Sequence, residues 1–264
     1  MLFLFELIVL ALIQGVGEIL PISSSAHLIM ISNLFNINKE DLTIEILLHL
    51  ASLFALIVYY YDFIKNIIKK VYLYLVKKDK TYYKEWGYFT TLIIASIPTC
   101  LVGFFINDHL NKVTNFVGLI LIFNGLILML IKDKYNEISI EDLSFMDKLK
   151  IGIIQCMGLI PGISRSGSSL FGCNHVKLNK EDSFNLTFLL LFPLVIGSFV
   201  LNVNDFKFES NLLIPYIIIF LITFMVTYLS MIILHNTLIK GKSKIFAIYC
   251  VAIGIIYSII MLVI

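Results

Sequence analysis

Arginine is nearly absent from this sequence. Of its 20 basic residues, 19 are lysine and one, Arg165, is arginine. Charge is scarce altogether: 14% of the 264 residues are Asp, Glu, Lys or Arg, and the formal net charge is only +2. So small a net charge leaves no basic footprint for nucleic acid. Cysteine is also sparse. Cys100, Cys156, Cys173 and Cys250 all fall in apolar stretches with no CxxC spacing, so they read as small buried hydrophobes and not as metal or disulfide ligands. What is abundant is apolar. Hydrophobic residues make up 59% of the chain, in runs long enough to cross a bilayer, and the class is an integral membrane protein. The first run contains Glu6 and leads straight into a polar motif, which is unlike a cleaved signal peptide.

Arg165 lies inside one of the apolar segments, in the stretch 155–169. A charge near the bilayer centre costs roughly 2.5–3.5 kcal/mol on insertion scales, so one that persists there is expected to have a partner. Pro161, Gly158, Gly162 and Gly167 and four nearby serines would break a helix and free backbone N–H groups. An arginine beside free N–H groups and hydroxyls is suited to an anion, phosphate above all.

The stretch has a counterpart near the N-terminus. A shift of 141 residues superposes Gln14 on Gln155, Gly17 on Gly158, Ile22 on Ile163, Ser23 on Ser164 and Ser25 on Ser166, while Pro21 and Pro161 miss by one position. The first copy offers Glu18 and His27 where the second offers Arg165. An acid and an imidazole in one half, with a guanidinium in the other, predict a single site built from both.

Taken in order, residues 2–35 are apolar but interrupted at 21–25, and 44–61 form a span ending in Tyr59, Tyr60 and Tyr61, an interfacial aromatic belt. A lysine-rich connection covers 62–85. Spans follow at about 87–106 and 113–131, then a charged connection to 148, an interrupted stretch 149–172, and spans near 183–201, 212–234 and 245–263. The connections 62–85, 132–150, 175–182 and 235–244 carry seven, four, two and three lysines, whereas 36–43, 107–112 and 202–211 carry one each. By the positive-inside rule the first set is cytoplasmic. That holds only if both interrupted stretches dip into the membrane and return. The expected fold is therefore all-α: six transmembrane helices plus two re-entrant hairpins in an inverted-topology repeat, residues 1–131 and 146–264 of one membrane domain. Weak similarity between 116–131 and 245–260 agrees with the repeat. Broken backbone at that depth must line a cavity or be buried in protein, so the two motifs are expected to face each other.

These residues resemble the undecaprenyl-diphosphatases, also called the bacitracin-resistance membrane proteins. The first signature of that family reads here from Gln14 through Glu18, Pro21, Ser23, Ser24 and Ser25 to His27, and the second, Pro-Gly-x-Ser-Arg-Ser-Gly, occupies 161–167. The stretches 47–59 and 95–103 are also similar to the family, and the resemblance runs from about residue 8 to the C-terminus. It implies hydrolysis of undecaprenyl diphosphate to the monophosphate carrier lipid of wall synthesis and inorganic phosphate, with a divalent cation, Mg²⁺ or Ca²⁺. It also implies a multi-pass protein of the bacterial plasma membrane with its site open toward the outer face. A homodimer is left open. Gln14 stands where the family has an acid, and cannot serve as a base.

Each candidate has a defined task and a plain alternative. Glu18, one helical turn after Gln14, would bind the cation or act as general base; otherwise it only pairs Arg165. Gln14 would hydrogen-bond substrate, water or metal. Ser23, Ser24 and Ser25 would cap the returning half-helix, and Ser24 matches the family serine proposed as nucleophile or phosphate ligand. His27 is an alternative nucleophile, or the acid for the leaving group, and direct attack by water is equally allowed. Arg165 would clamp the diphosphate, with Ser164, Ser166 and Ser169 orienting it or donating to phosphate. His49 reads as a packed or hydrogen-bonded residue within a span, and His109 and His235 as interfacial. His175 lies too far from Arg165 for the Ser-Arg-x5-His motif of another lipid phosphatase family. Asn124 and Gly125 predict close helix packing or a hydrogen bond, and Glu181 and Asp182 a first helical turn. A transporter of the carrier lipid is the rival reading, since broken helices at the midplane are transporter architecture.

Overall fold

A computed structural model describes residues 2–35, 42–106, 114–132, 138–203, 206–207, 209–239 and 243–263. His109 and the connection around it lie outside the described residues. The described chain is helical, with one isolated bridge between Ile138 and Leu178. Its helices are α1 (Leu2–Gly17), α2 (Ser24–Phe35), α3 (Leu42–Tyr59), α4 (Tyr61–Lys77), α5 (Tyr83–Ile106) and α6 (Val117–Met129). The second part holds α7 (Phe145–Gln155), α8 (Arg165–His175), α9 (Lys180–Leu189), α10 (Leu191–Asn202), α11 (Leu213–Ile239) and α12 (Ser243–Val263).

Four helical stretches among the described residues are long and apolar enough to cross a membrane: Lys80–Ile106, Lys180–Asn202, Ser210–His235 and Lys244–Val263. The outward faces of these helices are rich in Phe, Leu and Ile, as lipid-facing surfaces must be. The span expected at 183–201 is α9 followed by α10. The span expected at 113–131 is a shorter apolar helix, 114–129. The connection at 62–85 is largely helical: α4 turns 70° away from α3 and buries Ile67 and Val71 on one face. Its exposed side mixes Lys65 and Lys69 with Ile68, Tyr72, Leu75 and Val76. A helix of that composition, set at an angle to an apolar helix, suits the membrane interface.

Both interruptions fall where the prolines and serines predict. Between α1 and α2 the chain turns at residues 18–23. Between α7 and α8 a short 3₁₀ turn, Cys156–Leu159, leads into a turn at 160–164. Helix α6 packs along α12 in an antiparallel sense. A Cβ on Gly125 would lie 2.7 Å from the carbonyl oxygen of Ala247, and one on Gly254 would lie 2.6 Å from that of Gly118. Only glycine lets the backbones approach this closely, which is how helices pack without a hydrophobic drive between them. Helix α1 lies against α11, and α7 against α5.

Away from the breaks, Asp182 opens α9 as expected, and it is fully buried. Tyr88 donates to it at 2.6 Å, the Ile140 N–H at 3.0 Å and Asn179 at 2.6 Å, with Lys84 at 3.1 Å. Four partners satisfy a buried carboxylate, so this junction ties α5 to α9 and is a fastening, not an open site.

Candidate active site

The site grows out of the two breaks. Helix α1 ends at Gly17, but the Glu18 N–H still reaches the Gln14 carbonyl at 2.9 Å, so Gln14 and Glu18 stay on one face. Ser23 then takes φ of +66° and turns the chain into α2. The Ser23 hydroxyl accepts from the Ala26 N–H at 3.3 Å and pairs with the Ser25 hydroxyl at 3.1 Å. The second break repeats this arrangement. Ser164 Oγ accepts from the Gly167 N–H at 3.0 Å and pairs with Ser166 Oγ at 3.0 Å. Both returning helices thus begin with a serine cap and present their N-terminal ends to the same small polar cavity. Its lining includes Gly17, Glu18, Ser23, Ser24, Ser25, Ile163, Ser164 and Arg165.

Glu18 is at the centre, with its side chain 3% exposed. One carboxylate oxygen, Oε2, accepts from Ser24 Oγ at 2.7 Å and from Gln14 Nε2 at 3.1 Å. The other, Oε1, faces Arg165 Nη1 at 3.8 Å, an ion pair too long for a hydrogen bond. Glu18 Oε1 and Arg165 Nη1 are both buried with no hydrogen-bond partner, and so is Gln14 Oε1. Leaving such a group unpaired costs about 1–3 kcal/mol, more when it is charged. Two atoms of opposite charge on lining residues, neither with a hydrogen-bond partner, mark a place prepared for a polar ligand.

His49 joins this group as a hydrogen-bonded residue, one of its two expected roles. Gln14 Nε2 lies 2.9 Å from His49 Nδ1, and Glu18 Oε2 lies 3.5 Å from the same nitrogen. An amide N–H is only a donor, so Nδ1 accepts and the neutral ring carries its proton on Nε2. That nitrogen points toward Glu45, 3.9 Å away at the exposed end. The available signal was an ionisable pair, Glu45 and His49, one turn apart in an apolar helix.

Other candidates stand further off. His27 does not line the cavity: its Nδ1 donates to the Ser23 carbonyl at 2.9 Å, and its Nε2 meets the Tyr249 hydroxyl at 3.0 Å, with the rings stacked. Ser169 donates to the Arg165 carbonyl at 3.1 Å, inside its own helix. Ser166 reaches the site only through Ser164. His235 packs edge-on to Phe184, and His175 ends α8 at the surface. Among the described residues, no three His, Cys, Asp or Glu side chains cluster together.

This arrangement pairs a hydroxyl with a carboxylate on one break and sets a guanidinium on the other. Known proteins resemble this chain along nearly its whole length. The family model described as bacitracin resistance protein BacA matches residues 7–256. Undecaprenyl-diphosphatase 2 of Bacillus thuringiensis (strain Al Hakam) is 30% identical over 260 residues, covering 96% of both chains. Undecaprenyl-diphosphatase 1 of Shouchella clausii (strain KSM-K16) is 33% identical over 262 residues, covering 96% of this chain and 95% of that one. An undecaprenyl-diphosphatase of Methanococcus maripaludis (strain C7) is 33% identical over 250 residues, covering 93% and 95%. The match extends through both breaks and nearly every helix between and around them, and the chain belongs to the bacitracin resistance protein BacA family.

Proposed function

We propose that this protein hydrolyses undecaprenyl diphosphate to undecaprenyl phosphate and inorganic phosphate, at a site made jointly by its two breaks. The observation that carries the reading is the 2.7 Å hydrogen bond from Ser24 Oγ to Glu18 Oε2, with the Arg165 guanidinium 3.8 Å from the other oxygen. A hydroxyl donating to a buried carboxylate is a nucleophile with its base in reach. A fixed cation at the same carboxylate is where the charge of a transferring phosphoryl group would be met.

In this mechanism Glu18 takes the proton of Ser24 as Oγ bonds to the terminal phosphorus. The bond from that phosphorus to the bridging oxygen breaks, and undecaprenyl phosphate leaves with the proton returned by Glu18. Glu18 then draws a proton from the water that attacks the phosphoserine and passes it back to Ser24 Oγ as inorganic phosphate departs. Arg165 and the N–H groups opening α2 and α8 hold the phosphate oxygens throughout. His49 acts through Gln14, fixing the amide so that its N–H side faces Glu18.

The side-chain oxygens of Glu18 and Gln14 that lack hydrogen-bond partners are the groups this chain would offer a divalent cation such as Mg²⁺. When bound, the ion neutralises diphosphate charge. Six spans with two re-entrant hairpins complete the reading, the polyprenyl chain lying among lipid-facing grooves and the cavity opening to the outer face. The halves as inverted repeats are supported by the shared serine caps and by the α6–α12 packing. There the contacts of Gly125 with Ala247 and of Gly254 with Gly118 exchange under a shift of 129 residues.

The test is phosphate release from undecaprenyl diphosphate by the purified protein with Mg²⁺ or Ca²⁺, then with EDTA, alongside Ser24→Ala and Glu18→Gln. Metal-dependent release lost in both variants is expected. Full activity in Ser24→Ala would give the attack to water. No release from a folded wild type that still binds the lipid diphosphate would leave carriage across the membrane as its activity; for that, the Ser24–Glu18 pair is superfluous.

A further inference from the structure

Helix α6 carries one polar side chain that touches both breaks. Asn124 is 1% exposed. Its Oδ1 accepts from the Ser164 N–H at 2.9 Å, at the cap of the helix that begins with Arg165. Its Nδ2 donates to the Pro21 carbonyl at 3.2 Å, inside the first break, and to Cys250 Sγ at 3.4 Å. The amide has one orientation only, since an N–H requires the oxygen and a carbonyl requires the nitrogen. The backbone here is otherwise held loosely across the gap: the Gly162 N–H meets Ser25 Oγ at 3.5 Å. Gly162, at φ +108°, also sits against Ile120, one turn before Asn124, so α6 is the seat of the second break.

We propose that Asn124 is a positioning residue for the reaction, keying the break that carries Glu18 to the break that carries Arg165. Neither group touches Asn124. The residue fixes Pro21, three positions after Glu18, and Ser164, one position before Arg165, to one rigid amide on a third element. The spacing between the carboxylate and the guanidinium is then set by two buried hydrogen bonds. An error of about 1 Å in such alignment costs on the order of 100-fold in rate.

The kinetic part of this inference rests on the hydrolase reading; the structural part does not. Two measurements therefore go together on Asn124→Leu, which keeps the volume and removes both bonds. The first is hydrogen exchange of the peptide covering 156–170 in the purified membrane protein, where exchange at the second break is expected to rise at least tenfold. The second is a kinetic double-mutant cycle with Arg165→Lys. Asn124→Leu alone is expected to lower kcat about 10–100-fold with KM changed less than threefold. In the Arg165→Lys background it should cost less than threefold, because the group it positions is already compromised. Asn124→Asp retains the acceptor for Ser164 and loses the donor to Pro21, and should fall between wild type and leucine. Ile140→Ala, in the separate cluster around Asp182, is the stability control and should lower the melting temperature with kcat retained. Unchanged exchange at 156–170, penalties that simply multiply in the cycle, or an equal kcat loss in Ile140→Ala would each overturn the proposal. An inactive wild type would refute the hydrolase reading, and the exchange result would still decide whether Asn124 holds the break.

Discussion

At the first break Gly17 abuts Ser24, and at the second Gly158 abuts Arg165, positions that the same shift of 141 residues superposes. A Cβ on Gly17 would lie 2.8 Å from Ser24 Cα, and one on Gly158 would lie 2.9 Å from Arg165 Cα. Serine caps and serine–serine hydroxyl pairs match as well. What differs is charge. The first break gathers Gln14, Glu18 and His49 into a bonded cluster through the Gln14 amide nitrogen. The second contributes a lone guanidinium. Two copies of one backbone device thus serve as scaffold, and divergence of a few side chains makes one half basic in the proton-accepting sense and the other an anion clamp. Neither half is complete alone.

The comparison predicts a ranking of effects. Arg165→Ala removes the only cationic side chain among the described residues of the cavity lining and should lower kcat about 10³-fold or more, in the range of arginines that stabilise phosphoryl transfer. Arg165→Lys should retain more, since a point charge replaces a fork. Glu18→Gln keeps the shape and removes the base, and a loss of about 10²–10⁴-fold in kcat is expected in the phosphate-release assay. Gly17→Ala and Gly158→Ala test the scaffold instead of the charges. Each pushes one returning helix away from its break, and both should lose on the order of 100-fold with the folded yield retained. Near-wild-type activity in either would show that the two breaks are not built by the same close approach. The smallest effect has opposite signs in the two halves. Ser23→Gly relieves a left-handed residue that costs roughly 1–2 kcal/mol, for only a few tenths lost from the cap, so thermal stability should rise. Ser164 has φ of −73°, and Ser164→Gly should only lower it.

Much of the site was legible in the residues. Pro21, Pro161 and the serines located both breaks because proline and hydroxyl caps act locally, on the backbone beside them. The pairing of Glu18 with Arg165 followed from the cost of a lone charge in an apolar segment. Less legible was whatever depends on which distant surface a helix meets. His49 and Asn124 sit in helices whose apolar periodicity is that of any span, and nothing local says that one reaches Gln14 and the other reaches Pro21 and Ser164. His27 stands in the motif as a catalytic candidate, and nothing local says that its ring meets Tyr249, 222 positions along the chain. Helix α4 was hidden by its lysines, which mark a connection by charge while still permitting an amphipathic helix.

The central claim is that one site is made from both breaks. A double-mutant cycle on kcat/KM with Glu18→Gln and Arg165→Lys, using undecaprenyl diphosphate, addresses it most directly. Groups 3.8 Å apart that act on one phosphoryl group should be strongly coupled, with the double variant little worse than the poorer single one. Losses that multiply independently would mean that the acid and the guanidinium serve separate sites, and the account would be wrong.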